Sequence, residues 1–479
     1  MRRKTMRIIL AVICVIMAAS IMSSCGDVNE KDKTVTLTWC VPGEPQKDTA
    51  LVMEEVNKII EPEIGAKLDL QFIEQSSYEE RIRMMIASQT EFDMMLTGYV
   101  NNFDNVVQKN GFLPLTDSLK KYAPKLYEQM PAAGWSAATY DGEIYAVPNQ
   151  QIWANYMGIG FRKDLVEKYG YNTDNFKTID DAEEFWNLVL KNDPDLIPLW
   201  LSVSDDLWTL DKYENIISGI SYDREAKKAV ITAFQDDAKE AAYKKREWYK
   251  KGYLRRDIAT VSNQNADFVA GRFASMLCVC KPGVEMAKKM ESGGQDWIIV
   301  PFSTPYVYRS KINATMTAVS ASSKNLEKSV KFLELINTNK DLYRLIAHGI
   351  EGKHYNKVGD NTISYIDGSG YAPKADWKFG NSFNAYELEG DTPNVIEKIK
   401  KINETAEVSP LMQFSFVSDN VVTEISQVSA VINKYNRVFS GVQDPDEYWE
   451  QYINELKVAE VEKILDEVNR QLDEFNNKK

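Results

Sequence analysis

Residues 35–96 read VTLTWCVPGEPQKDTALVMEEVNKIIEPEIGAKLDLQFIEQSSYEERIRMMIASQTEFDMML. Apolar residues alternate with polar ones in some segments and recur every three or four residues in others, which distinguishes strands from helices. Strands are predicted at 35–41, 67–73 and 92–96, with a helix between each pair. The first helix, 49–60, is ended by Pro62, and the second, 77–88, begins with the capping-box pattern Ser77-x-x-Glu80. This order and spacing predict a parallel sheet with right-handed crossovers.

Ligands of such sheets bind beyond the carboxyl ends of the strands, beside helix N-termini. Two loops occupy those ends here, and we expect their polar and aromatic side chains to face a ligand. The first loop carries Glu44 and Gln46, and the second carries Tyr99, Asn101 and Asn102. Neither loop contains a Gly-x-Gly-x-x-Gly or Gly-Lys-Ser/Thr motif, so nothing indicates nucleotide binding.

Composition excludes several classes of function. The chain has 479 residues, 57 Lys and Arg against 70 Asp and Glu, and a formal charge of −13, which argues against broad nucleic-acid binding. It has two histidines, so a three-histidine metal site is excluded. The acidic clusters at 193–195 and 205–206 lack the alternating spacing of a calcium loop. We therefore predict no cofactor and no metal.

The first 24 residues predict a secretory signal. Four basic residues precede an apolar run from 8 to 22, which at about 1.5 Å per residue is too short to cross a bilayer of about 30 Å. Ser23 and Ser24 precede Cys25, which resembles a bacterial lipobox and predicts lipidation of that cysteine. Residues 25–34 are a polar tether. The alternative is plain secretion with cleavage after Ser20. Either way the product lies outside the cytoplasmic membrane, and the lipobox predicts a lipid anchor on its outer face.

Besides Cys14 in the signal segment and Cys25 at the lipidation site, three cysteines need an assignment: Cys40, Cys278 and Cys280. Each lies in an apolar, strand-like run, and the last two would project from one face of a strand. Buried free thiols are the main prediction, with one disulfide to Cys40 as the alternative.

The remainder of the chain continues the mixture of strands and helices. Strands are predicted at 142–150 and between Gly271 and Lys281, and helices at 179–191 and 225–251. Beyond Ser320 the pattern is mostly helical to the end of the chain.

Four segments, in this order, resemble the family-1 extracellular solute-binding proteins of ABC importers. They read FDMMLTGY (92–99), DGEIYAVPNQ (141–150), GIGFRKDLVEKYG (158–170) and VAGRFASMLCVCKPG (269–283). Residues 329–355 and 413–475 are similar, more narrowly, to the LplA/LipO-like lipoproteins. Glu460 stands where those proteins tend to have glycine.

The resemblance implies an α/β fold of two lobes, of the periplasmic-binding-protein type II, cluster D-like, with crossover hinge strands and a helix-rich C-terminal part. We assign 35–150 and 262–322 to the N-terminal lobe, and 151–261 and 323–479 to the C-terminal lobe. It also implies a monomeric, non-enzymatic protein that holds a carbohydrate, often an oligosaccharide, between the lobes. The protein would pass that cargo to a two-permease importer with its ATPase.

Sugars present hydroxyl-rich edges and apolar C–H faces, so a site for them needs polar side chains around aromatic ones. The aromatic candidates lie in predicted loops at strand ends or lobe crossings: Trp39, Tyr99, Trp153, Tyr156, Trp208, Trp297 and Trp377. The polar candidates lie in similar places: Glu44, Gln46, Asn101, Asn149, Gln150, Lys281 and Asn381. The alternative for each aromatic residue is core packing, and for each polar residue a solvated loop or a helix cap.

Two other functions stay open. A solute-binding protein for peptides or another non-sugar solute would share the same fold. A secreted glycoside hydrolase would need two carboxylates about 5 to 10 Å apart, and no hydrolase motif points to such a pair.

Overall fold

The computed structural model describes residues 34–201, 212–261 and 263–477. The predicted signal segment, the lipidation site Cys25 and the candidate Trp208 lie outside these ranges.

The first lobe is built on a five-stranded sheet. Its strands lie in the order Ala66–Ile73, Val35–Pro42, Met94–Gly98, Thr315–Val319 and Ala146–Pro148. The first three are parallel, and the fourth is antiparallel to both of its neighbours. The strand–helix–strand–helix–strand order predicted from residues 35–96 is therefore confirmed.

The two helices of that segment differ from the prediction at their ends. Thr49–Ile64 continues past Pro62 and ends at Gly65, whose φ of 62° is the left-handed conformation that terminates helices. Val52, Val56 and Ile60 form its buried stripe. The second helix, Gln75–Ala87, begins two residues before Ser77. The Ser77 hydroxyl donates to the Glu74 carbonyl at 3.2 Å, so the predicted capping box does not form.

Further helices and a small sheet complete the first lobe. The helices are Phe103–Gln108, Thr116–Tyr122, Pro124–Gln129, Ala132–Ala137, Arg309–Ile312, Leu326–Thr338, Lys340–His348 and Val395–Thr405. A two-stranded sheet joins Thr139–Tyr140 to Glu143–Ile144. The prediction of a mostly helical chain beyond Ser320 is wrong for residues 355–388. Tyr355–Lys357, Thr362–Tyr365 and Glu387–Leu388 form a three-stranded sheet there, around a separate aromatic cluster.

The second lobe contains a four-stranded sheet. Its order is Trp297–Pro301, Tyr156–Arg162, Phe273–Cys280 and Ile197–Trp200. The strand predicted between Gly271 and Lys281 is confirmed. The helices around this sheet are Lys163–Tyr169, Ala182–Asn192, Asp236–Lys251, Asn265–Val269 and Val284–Glu291.

The predicted lobe boundaries differ from this sheet pairing. Residues 273–280 and 297–301 pair with 156–162 and belong to the second lobe, although 262–322 was assigned to the first. Conversely, the helices Leu326–Thr338 and Lys340–His348 were assigned to the second lobe but pack into the core of the first. Local periodicity identifies a strand and does not identify its partner, which is why both assignments failed.

A second layer of the second lobe is formed by a hairpin and the C-terminal helices. Tyr213–Ile217, Ile220–Asp223 and Lys228–Ile231 form an antiparallel sheet, so the helix predicted over 225–251 begins only at Asp236. The helices Val422–Lys434, Asn436–Phe439, Pro445–Val458 and Val461–Asn477 share one core with this sheet.

The chain passes between the lobes three times, at about residues 155, 306 and 407. Asn155 and Tyr306 exchange two backbone hydrogen bonds of 2.8 and 3.0 Å. Tyr306–Val307 pairs in parallel with Glu407–Val408. The three crossings are thus hydrogen-bonded side by side, as the predicted crossover strands require.

The three cysteines that the structure describes, Cys40, Cys278 and Cys280, are buried and free. Burial raises the pKa of the Cys40 thiol to about 12, so it is an inert core residue. No helix in the described ranges has both the length and the apolar composition needed to cross a membrane.

Candidate functional site

A cavity of about 1510 Å³ lies between the two lobes. First-lobe residues 102–108 and 309–313 form one wall. The opposite wall comes from Trp200, from the antiparallel sheet and helices of residues 213–261 and 263–265, and from the C-terminal region 411–452. A cavity of this size exceeds the usual 300 to 1,000 Å³ of small-molecule sites and suits an extended ligand.

The first wall stands on the carboxyl edge of the first sheet. Gly98 ends a strand with φ of 121°, and a Cβ there would lie 2.2 Å from the carbonyl oxygens of Asn313 and Ala314. Only glycine permits this approach, which brings the segment around Asn313 beside the strand end. Asn102 then caps the helix Phe103–Gln108 by accepting from the backbone N–H of Asn105 at 3.0 Å.

An ion pair is set into the first wall. Arg309 donates from both terminal nitrogens to the Asp104 carboxylate, at 2.6 and 2.7 Å. The two side chains are only 10% and 16% exposed. The Ser415 hydroxyl, from the C-terminal region, also donates to Asp104 at 2.6 Å. This carboxylate therefore joins two parts of the cavity lining.

The second wall supplies most of the aromatic surface. Trp200 ends its strand half-buried, with Phe268 and Phe273 packed against it at ring distances of 4.4 and 5.4 Å. The C-terminal region adds the half-buried Phe416 and Phe439 to the lining, and the buried Trp449 supports Phe439 at a ring distance of 6.3 Å. Rings supported in this way by neighbouring rings are held in place, as a platform for sugar C–H faces requires.

The hinge end of the cavity contains a buried carboxylate. Glu214 accepts from the hydroxyls of Tyr306 at 3.2 Å and Ser409 at 2.5 Å, so it holds two of the three crossings. Burial raises the pKa of Glu214, although the two hydroxyls and the nearby Arg224 oppose that shift. The Arg224 guanidinium stacks 3.6 Å from the Tyr306 ring centre.

Three of the predicted site residues come together elsewhere on the first lobe. The rings of Tyr99 and Trp377 lie 5.6 Å apart, and the Asn149 amide donates to the Trp377 carbonyl at 3.0 Å. Tyr99 is 46% exposed, Trp377 is half-buried and Asn149 is fully buried. The group covers the carboxyl edge of the first sheet beside the cavity, and none of its members is part of the lining described above.

Gln150 and Asn381 adjoin that group, because their backbones form a bridge. The Asn381 side chain caps the turn at Phe383. Asn101 accepts from the Thr97 hydroxyl and from Gly98 N–H, and so fixes the strand end. Trp153 is 4% exposed in the first core.

The other candidates are scattered. Glu44 is exposed, whereas Gln46 accepts from the backbone of Ala372 at 3.0 Å. Tyr156 begins one inner strand of the second sheet, and the exposed Lys281 follows the end of the other inner strand. Trp39 and Trp297, at 1% and 5% exposure, pack in the two cores.

Sequence reasoning missed the residues that line the cavity. Trp200 could have been found, because it ends the short apolar run 197–200 at a strand's carboxyl end. Asn102 stands in the second predicted loop, although it is not among the polar candidates. Nothing local marks Arg309 or the C-terminal aromatic residues, whose position depends on long-range packing.

The described residues contain no group of three or more histidine, cysteine, aspartate or glutamate side chains arranged to hold a metal ion.

Comparison with known proteins gives several matches. The model of the bacterial extracellular solute-binding protein family matches residues 49–342, and a domain of unknown function (DUF3502) matches 410–477. A carbohydrate ABC transporter substrate-binding protein of Streptococcus pneumoniae is 27% identical over 97% of both chains. The crystal structure of the N-glycan transport solute-binding protein NgtS from the same species superposes with a TM-score of 0.83. It is 26% identical and covers 93% of this chain and 100% of that one. The same protein in complex with Man5GlcNAc superposes with a TM-score of 0.65, at the same identity and coverage.

The family model spans more than half of this chain, and the two lobes with their three crossings agree with it. The chain belongs to the bacterial extracellular solute-binding protein family.

Proposed function

We propose that this protein is the substrate-binding component of an ABC importer and captures an oligosaccharide in the cavity between its lobes. The observation that carries the proposal is the lining of that cavity. Supported aromatic rings such as Trp200 and Phe439 lie opposite carboxamides such as Asn102 and Asn105, across a space of about 1510 Å³. Rings suit the apolar faces of sugars, and carboxamides both donate to and accept from hydroxyls.

Relatives support the choice of cargo. The pneumococcal relative is a carbohydrate importer subunit, and NgtS binds an N-glycan of several sugar units. Membership in the family also implies that the protein works outside the cytoplasm.

Capture proceeds by closure of the lobes around the crossings. The better superposition on NgtS (0.83) than on its Man5GlcNAc complex (0.65) supports an open form for this structure. Closure would bring the second wall against the Tyr99–Trp377 pair, which keeps those two residues as proposed contacts. The closed form then docks on the permease pair.

A thermal-shift screen tests the cargo. The soluble chain from Gly26 onward is heated with Man5GlcNAc, mannohexaose, maltohexaose and cellohexaose, and with a set of tri- to hexapeptides. A bound sugar at about 100 times its dissociation constant should add roughly 2.7 kcal/mol to the free energy of unfolding. Stabilisation by peptides alone would reject a carbohydrate cargo and leave the fold untouched.

The hydrolase alternative is tested on the same samples. A binding protein leaves the sugars intact, so no new reducing ends should form during a day of incubation. Their appearance, in proportion to protein concentration, would contradict the proposal.

We also propose that Cys25 is lipidated and holds the protein on the outer face of the cell membrane. Cys25→Ser should move the protein from the membrane fraction to the medium. Cys14→Ser is the matched control, because that residue lies in the segment that is removed, and it should leave the protein in the membrane fraction. Equal retention of all three forms would contradict lipid anchoring.

A further inference from the structure

The cavity lining is rich in amides and balanced in charge. Among the described residues that line it, nine are asparagine and two are glutamine. Three cations, Lys245, Arg309 and Lys311, stand with three acids, Asp104, Glu214 and Asp419. The chain as a whole carries a charge of −13. An anionic ligand would therefore approach a negative protein and reach a cavity with no excess of cations among its described residues.

The arginine in that set is already neutralised. Both terminal nitrogens of Arg309 donate to Asp104, in the bidentate geometry that a ligand carboxylate would otherwise adopt. The Ser415 hydroxyl donates a further hydrogen bond to Oδ2 of Asp104, one of the two oxygens that Arg309 contacts. Arg309 Nε is buried without a hydrogen-bond partner, so the side chain keeps one unused donor. Arginine is the residue best suited to recognise a carboxylate, and here an internal carboxylate occupies it.

We infer that the cavity selects uncharged oligosaccharides, and that Asp104 determines this specificity by occupying Arg309. The inference rests on the proposed function and adds the class of sugar to it. A uronic acid or sialic acid residue would have to leave water without a free guanidinium to receive it. Neutral sugars exchange their hydrogen bonds to water for hydrogen bonds to the carboxamides, so they do not face this desolvation cost.

The test compares each neutral sugar of the panel with the same sugar carrying carboxylates in place of its primary alcohols. Affinities are measured by calorimetry on the soluble chain from Gly26 onward, which keeps both lobes. The native chain should bind the neutral form at least about tenfold more tightly. Asp104→Asn keeps the shape of the side chain, removes its charge and leaves one acceptor oxygen, so at least one terminal nitrogen of Arg309 is released for a ligand carboxylate. This variant should bind the oxidised form at least about tenfold more tightly than the native chain does.

Two controls separate this effect from a general change of charge. Asp419→Asn removes one negative charge from the same cavity without freeing an arginine, and should gain no affinity for the oxidised form. The double variant Asp104→Asn, Arg309→Gln should also gain none. Unfolding curves show independently whether each variant folds. If Asp104→Asn does not fold, Asp104→Ser takes its place.

The outcomes are distinct. Failure of all panel sugars, in both forms, overturns the proposed function and this inference with it. Equal or tighter binding of an oxidised sugar by the native chain overturns the inference and leaves the carbohydrate function standing. A gain for Asp419→Asn as large as that for Asp104→Asn overturns the role of Asp104.

Discussion

The two walls of the cavity are built in different ways. The first stands on the edge of one sheet, where a glycine-mediated contact and a buried ion pair hold it within two segments, 98–108 and 309–314. The second is assembled from a strand end, a hairpin, a long helix and the C-terminal helices, which lie up to 250 residues apart in the chain. The first wall is a property of the sheet, whereas the second exists only after distant segments have packed. The first should therefore vary little in shape, and the second should determine which sugar fits.

The largest effect is expected on the stability of the first lobe at acid pH. Both histidines of the chain lie in that lobe, and His348 carries the expected change. Burial, with a smaller effect of Arg344, lowers the pKa of His348 to about 3. The neutral ring accepts from Tyr386 N–H at 3.2 Å and contacts the Tyr365 hydroxyl at 2.8 Å. Its stabilising contribution is complete above the unfolded pKa of about 6.5 and is lost as pH falls from there towards 3.

We expect the free energy of unfolding to fall by about 1.4 kcal/mol per pH unit from this residue alone over that window. Denaturant unfolding at several pH values would measure the slope, and His348→Gln should remove this part of it. Hydrogen exchange at pH 5 should show loosening first around 340–390. An identical slope in both proteins would show that His348 does not set it.

The next largest effect is expected on the second wall. Trp200→Ala removes an aromatic platform and should weaken binding of a panel sugar by about 2 kcal/mol, or roughly thirtyfold. Trp135→Ala is the control, because Trp135 stacks on Tyr127 in the first lobe and is no part of the cavity lining. Calorimetry would measure both. A loss of affinity below twofold for Trp200→Ala would contradict the proposal that the sugar binds against this wall.

A smaller effect is expected beside the first wall, at the Tyr99–Trp377 pair, which lies outside the cavity lining. Trp377→Ala should cost about 1 kcal/mol, or roughly fivefold in affinity, because this ring meets the sugar only after closure. The measurement is the same titration, with Trp135→Ala again as control. A loss larger than that of Trp200→Ala would make the Tyr99–Trp377 pair, and not the second wall, the main contact of the sugar.

The smallest effect concerns the support of the second wall. Glu460 has φ of 59° between the last two helices, a conformation that strains any residue with a Cβ. Glu460→Gly should raise the free energy of unfolding by about 0.5–1 kcal/mol. Glu462→Gly, inside the following helix, should lower it by about 1 kcal/mol. Sugar affinity should not change in either variant, and a destabilised Glu460→Gly would contradict the strain argument.

The sequence predicted the fold better than the site, and particular elements show why. Residues 35–96 contain complete strand and helix periods, so their order could be read locally. The strand at 273–280 was found as well, but its pairing with 156–162 is a long-range choice that periodicity does not encode. The lobe boundaries failed for the same reason.

At the site, position at a strand end was a useful signal but an incomplete one. It led to the loop with Tyr99, Asn101 and Asn102, and of these three residues Asn102 lines the cavity. It gave no means to find Arg309, whose relevance comes from its contact with Asp104, 205 residues away. Several aromatic candidates proved to be core residues, because composition cannot distinguish a ring that supports the lobe from a ring that faces the cavity.

Because the three crossings are hydrogen-bonded side by side, the connection between the lobes bends over several residues and does not rotate about a single one. A narrow ribbon of extended chain bends by small dihedral changes shared among its residues, and its internal hydrogen bonds need not be exchanged with water. Opening then has little intrinsic resistance. In the proposed mechanism, the lifetime of the closed state therefore depends on the bound ligand. A tightly bound sugar dissociates slowly, so the rate of its delivery must be set by the transporter that opens the lobes.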